Sequence, residues 1–246
     1  MGWRRRTSGS SRRCVRCWAA SVVALLAVAL GGCALGPAPD ALPTLAPSAT
    51  PAPSATPVPL AAMRELFDDP THLALRTGAT ESALFACADG TYRITVRKPQ
   101  LLVRSLVGGP LADGALDVDV SFPRGTPATA AGLIFRQQDE QNFYMASISS
   151  DGFYSLDVRE GGAWRALIEW TNWPTIDTRG GPNRLRVVAQ GDLISLYLNG
   201  ELLGQASDAT FASGDVALGV NTFATADVTA VFDNLAVEPQ HTRKKQ

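Results

Sequence analysis

Between Gly132 and Trp170 the chain reverses direction three times within forty residues, which leaves no room for a helix. A short apolar run over 132–137 ends in the polar triplet Asp139-Glu140-Gln141, and residues 142–149 run back to Ser150-Asp151-Gly152. Residues 153–159 follow, Gly161-Gly162 turns the chain again, and residues 163–170 leave. Asp-Gly and Gly-Gly between aromatic and branched runs supply the positive φ that tight hairpin turns need. The stretch therefore predicts a four-stranded antiparallel meander.

The same period of two extends on both sides. Over 90–98, Tyr92, Ile94 and Val96 alternate with Arg93, Thr95 and Arg97, as in a strand with one buried and one wet face. Residues 101–107 and 114–122 continue the pattern. After a polar loop at 171–182, strands are expected at 183–190, 193–198, 201–206, 214–221 and 226–237, with Gly191-Asp192 and Asn199-Gly200 as turns. About a dozen short strands without an amphipathic helix predict an all-β fold, a two-sheet antiparallel jelly-roll sandwich. A domain of this size buries about 70% of its unfolded surface and needs no metal or disulfide for stability. The expected core is Phe135, Phe143, Ile148, Leu156, Leu167, Leu185, Val187, Leu196, Leu198, Val216, Leu218 and Phe232.

The first 33 residues have the composition of an export signal, with six arginines, no acid, the apolar run 19–30 and Gly31-Gly32-Cys33. Leu30-Gly31-Gly32-Cys33 resembles the lipobox of bacterial lipoproteins, which implies acylation at Cys33 and a lipid anchor on the extracytoplasmic face of the cell membrane. An ordinary secretory signal cleaved near Ala34 is the alternative, and Arg12-Arg13 bears a fainter likeness to a twin-arginine signal. Residues 34–62 are rich in Pro, Ala, Ser and Thr, and half of the chain's 16 prolines lie between 34 and 60. Such a segment is expected to stay disordered near polyproline II and, at about 3.1 Å per residue, to hold a domain up to roughly 80 Å from its anchor. The expected organisation is signal 1–33, linker 34–62, sandwich 63–238 and basic tail 239–246.

Without the six leader arginines, 16 basic residues face 23 acidic ones, a net charge of −7 that offers no footprint for nucleic acid. Only Cys87 remains outside the leader, and it is expected to pack as a small apolar residue. The only histidines, His72 and His241, lie outside the strand framework, so neither a thiol-imidazole pair nor a Ser-His-Asp triad is expected.

Asn183-Arg184-Leu185-Arg186-Val187, Gly191, Tyr197-Leu198-Asn199-Gly200-Glu201-Leu202, Gly214 to Gly219 and Phe232-Asp233-Asn234 together resemble the closing half of a concanavalin A-like lectin/glucanase domain. The series is similar to laminin G-like modules and to 3-keto-disaccharide hydrolase domains. The resemblance implies a jelly roll, a fold that carries lectins, hydrolases and inert spacers alike. Glucanases of this kind set carboxylates at alternate positions of one strand. Asp117-Val118-Asp119 supplies two, with Ser121 in the third place, and Glu169 stands alone, so the pattern is incomplete.

Sugar recognition needs flat aromatic faces with polar groups beside them. The candidates are Arg136, Asp139, Asn142, Tyr144, Tyr154, Trp164, Trp170 and Trp173. Trp164 and Trp170, six apart on one strand, are expected to share a face, and Trp173 beside Pro174 is expected to be an exposed platform. The structural alternative makes Tyr144 and Tyr154 a cross-strand pair and buries the tryptophans. Calcium is the other candidate ligand, as in laminin G-like sandwiches, held by Asp68, Asp69 and Asp233 if the first and last strands are neighbours. The expectation is thus a monomeric, membrane-anchored domain binding a glycan or another extracytoplasmic ligand without catalysis. The alternatives are a hydrolase or lyase of (3-keto-)disaccharides, and a structural or protein-interaction domain.

Overall fold

The computed structural model describes residues 59–68 and 75–240. The segment expected to be an export signal, with Cys33, most of the expected linker, Asp69, His72 and residues 241–246 of the basic tail lie outside the described residues. Every regular element described is a strand: β1 Met63–Glu65, β2 Gly78–Ala79, β3 Ala83–Ala88, β4 Thr91–Val96, β5 Leu102–Leu111, β6 Gly114–Ser121, β7 Thr129–Gln137 and β8 Phe143–Ser149. They continue as β9 Phe153–Glu160, β10 Ala163–Asn172, β11 Asn183–Gln190, β12 Leu193–Leu198, β13 Glu201–Ser207, β14 Gly214–Thr222 and β15 Val228–Pro239.

All pairings are antiparallel. One sheet runs β13-β12-β11-β6-β15-β4-β3-β2, with β1 on β15, and the other runs β10-β9-β8-β7-β14-β5. The expected meander forms four consecutive strands of the six-stranded sheet, β7 to β10, in register Ala131↔Ile148, Ala146↔Leu156 and Trp164↔Arg159. Its turns use positive φ as the glycines require: +56° at Gly161 and +84° at Gly162. Asn199 and Gly200 adopt +50° and +87°. Strands β1 to β3 were not legible as strands, because β1 and β2 span three and two residues and are defined by partners far along the chain.

The two sheets pack face to face through Phe135, Ile148, Leu156, Leu185, Val187, Leu196, Leu198, Val216, Leu218 and Phe232, all buried as the alternation predicts. Two of the expected core residues differ. Leu167 is only half-buried because β10 is bulged on both sides of Ile168, which takes the inward place opposite Leu156. Phe143 is buried on the other face of the six-stranded sheet, in a second cluster with Ile134, Met145 and Ala217. That sheet is therefore apolar on both sides.

Tyr144 and Tyr154 face the interior between the sheets and do not pair with each other: Tyr144 opposes Val158 and Tyr154 opposes Ile148. Tyr154 donates to Leu203 O at 3.0 Å. Tyr144 donates to Asp208 Oδ1 at 2.6 Å and accepts from Phe211 N–H at 3.1 Å, so the β13–β14 loop is fastened to β8. Burial works to raise the Asp208 pKa, but bonds from Thr210, Tyr144 and Arg165 outweigh it and hold the carboxyl well below the usual aspartate range. A lowered folded pKa adds stability that is present above the unfolded value of about 4 and is lost as pH falls below it. Asp208→Asn is expected to cost about 1.5–3 kcal/mol at neutral pH and to flatten the acid limb of stability. Urea titrations at about pH 7 and about pH 3 check this; an equal loss at both pH values would refute it.

Candidate functional site

The second apolar cluster forms the floor of a groove on the outer face of the six-stranded sheet. At one end the edge of Trp164 meets the Phe143 ring, with centroids 5.5 Å apart and planes at 83°. Further along, Trp170 meets Phe223, just past the end of β14, at 6.1 Å and 86°. Trp164 and Trp170 are 44% and 41% exposed, a large apolar area to leave wet near the two ends of one edge strand. Both line one cavity of about 200 Å³, so their six-residue spacing does bring them to one face, because the two bulges of β10 together preserve the alternation.

Polar groups converge between the tryptophans. Ser147 on β8, Asp157 on β9 and Asn221 on β14 line the same cavity, together with Ala130 and Met145. Asp157 Oδ2 accepts from Ser155 Oγ at 2.6 Å, leaving Oδ1 open. Burial pushes the Asp157 carboxyl up, the Ser155 bond opposes this, and the charge of Glu169 on β10 adds to it. Ser147 is only 2% exposed, and neither its hydroxyl nor the Asn221 side chain is bonded to any described residue. The Ser147 hydroxyl and the Asn221 amide therefore keep hydrogen-bonding capacity on the face that lines the groove.

Of the residues singled out from sequence, only Trp164 and Trp170 reach this groove. Arg136 is 2% exposed and turned into the end of the sandwich, a correction to its expected place among the ligand-binding residues. It is the bulged residue between β7 and β14, with φ +48°, and β-bulges re-aim side chains in this way. Tyr144 and Tyr154 are likewise withdrawn into the core. Trp173 is not an exposed platform: it is half-buried, edge-on to Tyr154 at 6.0 Å and packed against the core, with its indole N–H unpaired. Asp139 and Asn142 serve the β7–β8 and β9–β10 turns. Asp139 accepts from Gln141 N–H and Asn142 Nδ2, and Asn142 Oδ1 accepts from Gly161 N–H at 2.8 Å.

Asp117 and Asp119 lie on the outer face of the other sheet, neutralised by Arg184 and Arg186. Arg186 Nη1 meets Asp117 at 2.5 Å and Arg184 meets Asp117 and Asp119 at 3.3 Å. They are cross-strand ion pairs of β6 and β11 and leave no free carboxylate pair. Cys87 is half-buried, and burial followed by the Glu65 charge raises its pKa, which keeps the thiol protonated. The first and last strands are neighbours, as Met63↔Val237 shows. Asp233 Oδ1, however, accepts from Asn234 N–H, and no three His, Cys, Asp or Glu side chains among the described residues are grouped to hold a metal. Asp69 lies outside the described residues.

Ser147, Asp157, Asn221 and Phe223 were missed in the sequence. The first two follow the alternation, since each holds the outward phase of a strand whose inward phase is apolar. Asn221 and Phe223 had no local signal, because β14 joins β7 from far along the chain, as in the pairs Asp215↔Gln137 and Thr222↔Thr129.

No family model matches the chain. A levanase of Bacillus subtilis (strain 168) is 27% identical over 129 residues, 52% of this chain but only 18% of the levanase. The chain thus spans under a fifth of that enzyme. The solved carbohydrate binding module CBM66 from Bacillus subtilis is 25% identical with a TM-score of 0.55, covering 66% of this chain and 96% of the module. A β-glucanase of Bacillus licheniformis has a TM-score of 0.54 at 11% identity, covering 73% and 98%. The domain has the concanavalin A-like lectin/glucanase fold. In this concanavalin A-like sandwich the groove lies across the six-stranded sheet, where β10, β9, β8, β7 and β14 each contribute to one strip of surface.

Proposed function

We propose that this concanavalin A-like domain is a glycan-binding module that holds a saccharide in the groove of its six-stranded sheet without cleaving it. The observation that carries this reading is the set of polar groups with bonding capacity to spare, the Ser147 hydroxyl, Asp157 Oδ1 and the Asn221 amide, between the exposed rings of Trp164 and Trp170. Pyranose and furanose rings offer an apolar face for stacking and a rim of hydroxyls for bonding, which is what such a groove complements. The 25% identity with a carbohydrate-binding module, over nearly all of that module, supports the same reading. The export signal, acylation at Cys33 and the proline-rich spacer would display the module on the outer face of the membrane.

A second reading is a hydrolase of a (3-keto-)disaccharide or related glycoside. It is favoured by Asp157 itself, a carboxyl in the groove whose pKa is raised by burial and by Glu169, as a general acid requires. The two readings separate in one experiment. Tryptophan fluorescence of the purified protein is titrated with levan, mixed-linkage β-glucan and their oligosaccharides, and the same mixtures are assayed for released reducing ends. Saturation without release supports the module, release abolished by Asp157→Asn supports the hydrolase, and no response removes both. Anchoring is read separately, by whether Cys33→Ser moves the protein from the membrane fraction to the soluble one.

A further inference from the structure

Trp170 and Phe223 line two cavities. On one side is the cavity of about 200 Å³ with Asp157, and on the other is a second of about 340 Å³ lined by Ser149, Asp151 and Phe153. The near-perpendicular Trp170–Phe223 pair is the only aromatic contact common to both, so a ligand that fills both chambers must pass it. Each chamber repeats one arrangement, an aromatic ring with a carboxylate that a serine holds by one oxygen. Ser149 Oγ donates to Asp151 Oδ1 at 2.5 Å as Ser155 Oγ donates to Asp157 Oδ2 at 2.6 Å. The remaining oxygen of each is available to a hydroxyl donor. No Lys or Arg lines either chamber.

We propose that the groove selects a neutral oligosaccharide of at least two consecutive sugar units, one on each side of the Trp170–Phe223 pair. This rests on the glycan-binding reading above and adds ligand length and charge to it. A carboxylate in each chamber accepts hydroxyl protons and disfavours a uronate or a sulfated sugar, since no Lys or Arg lines either chamber and the neighbouring Arg159 guanidinium is engaged over the Phe143 and Trp164 rings. A single ring occupies one chamber and leaves the second wet, forgoing the stacking on Phe153 and the bond to Asp151.

The test is calorimetric titration of the purified protein with four probes: fructose, a β-2,6-linked fructose disaccharide, laminaribiose and a uronate-bearing disaccharide. A neutral disaccharide is expected to bind about tenfold or more tighter than the monosaccharide, which is the free energy of one added stacking contact with its hydrogen bond. Phe153→Ala is expected to remove most of that advantage of the disaccharide over the monosaccharide, and the uronate is expected to bind more weakly than its neutral counterpart. Equal affinity for one and two units overturns the inference while the glycan-binding reading stands. A uronate bound as tightly as the neutral sugar overturns it too. Absence of binding by any neutral sugar overturns both. The comparison of mono- and disaccharide on the unaltered protein decides the matter even if Phe153→Ala fails to fold.

Discussion

Arg136→Met is expected to lower the stability of the domain by about 3–5 kcal/mol, the cost of removing a buried cation from a satisfied network. Arg136 donates from Nε to Ala112 O at 3.1 Å and from Nη1 to Phe211 O at 3.1 Å. From Nη2 it donates to Gly191 O at 2.9 Å and to Asp113 Oδ1 at 3.1 Å. One guanidinium thus joins the β5–β6 turn, the β11–β12 turn and the β13–β14 loop, which together close one end of the sandwich. Methionine fills the volume but strands three carbonyls, each at about 1–3 kcal/mol where it stays dry. Asp113 loses less, since it is 38% exposed and still accepts from Gly191 N–H at 3.0 Å. Lysine is expected to rescue little, because a single ammonium cannot reach the acceptors that a planar fork spans. Against a total of about 5–15 kcal/mol the loss is large. Urea denaturation at neutral pH checks it, and a change under about 1 kcal/mol would show that water replaces the guanidinium without penalty.

Trp170→Ala is expected to weaken glycan binding by about 10- to 100-fold while moving the urea midpoint little. A half-exposed aromatic at the centre of a binding groove carries a share of binding energy typical of a hot spot, about 2 kcal/mol. Its aromatic contact with the rest of the fold is an edge-to-face meeting with Phe223, worth about 0.5–1.5 kcal/mol. Trp173→Ala is the control with the opposite signature, a loss of stability with affinity retained, because that ring packs on Tyr154 and the main core. If the two variants exchange these effects, ligand sits at the loop after β10 and the groove is ordinary surface.

The contrast between those two tryptophans shows what was readable in the chain. Alternation in 142–149 and 153–159 correctly put Ile148 and Leu156 inside, because a residue's face depends only on its own strand's period. It could not show that Arg136 leaves that period. A one-residue bulge inverts the phase, and at this bulge the backbone comes close to Gly214 of a strand distant in the chain. A Cβ at Gly214 would lie 2.5 Å from the Arg136 carbonyl carbon. The Pro-flanked loop predicts an exposed Trp173, yet its ring packs edge-on to Tyr154. The groove was half legible: Trp164 and Trp170 follow from spacing on one strand, while Asn221 and Phe223 enter through a pairing that no local pattern encodes.

The last described strand also sets when the domain can exist at all. β15 lies between β6 and β4 in the middle of the larger sheet, with β1 beside it, so the strands on its two flanks cannot join until it arrives. On a ribosome adding about 5–20 residues per second, β4 waits on the order of ten seconds for its partner. Sandwiches dominated by such long-range pairings close in milliseconds to seconds once complete, so the emerging chain spends longer open than it needs to fold. The proposed export through a pore that demands an extended polypeptide would meet no folded obstacle during that interval.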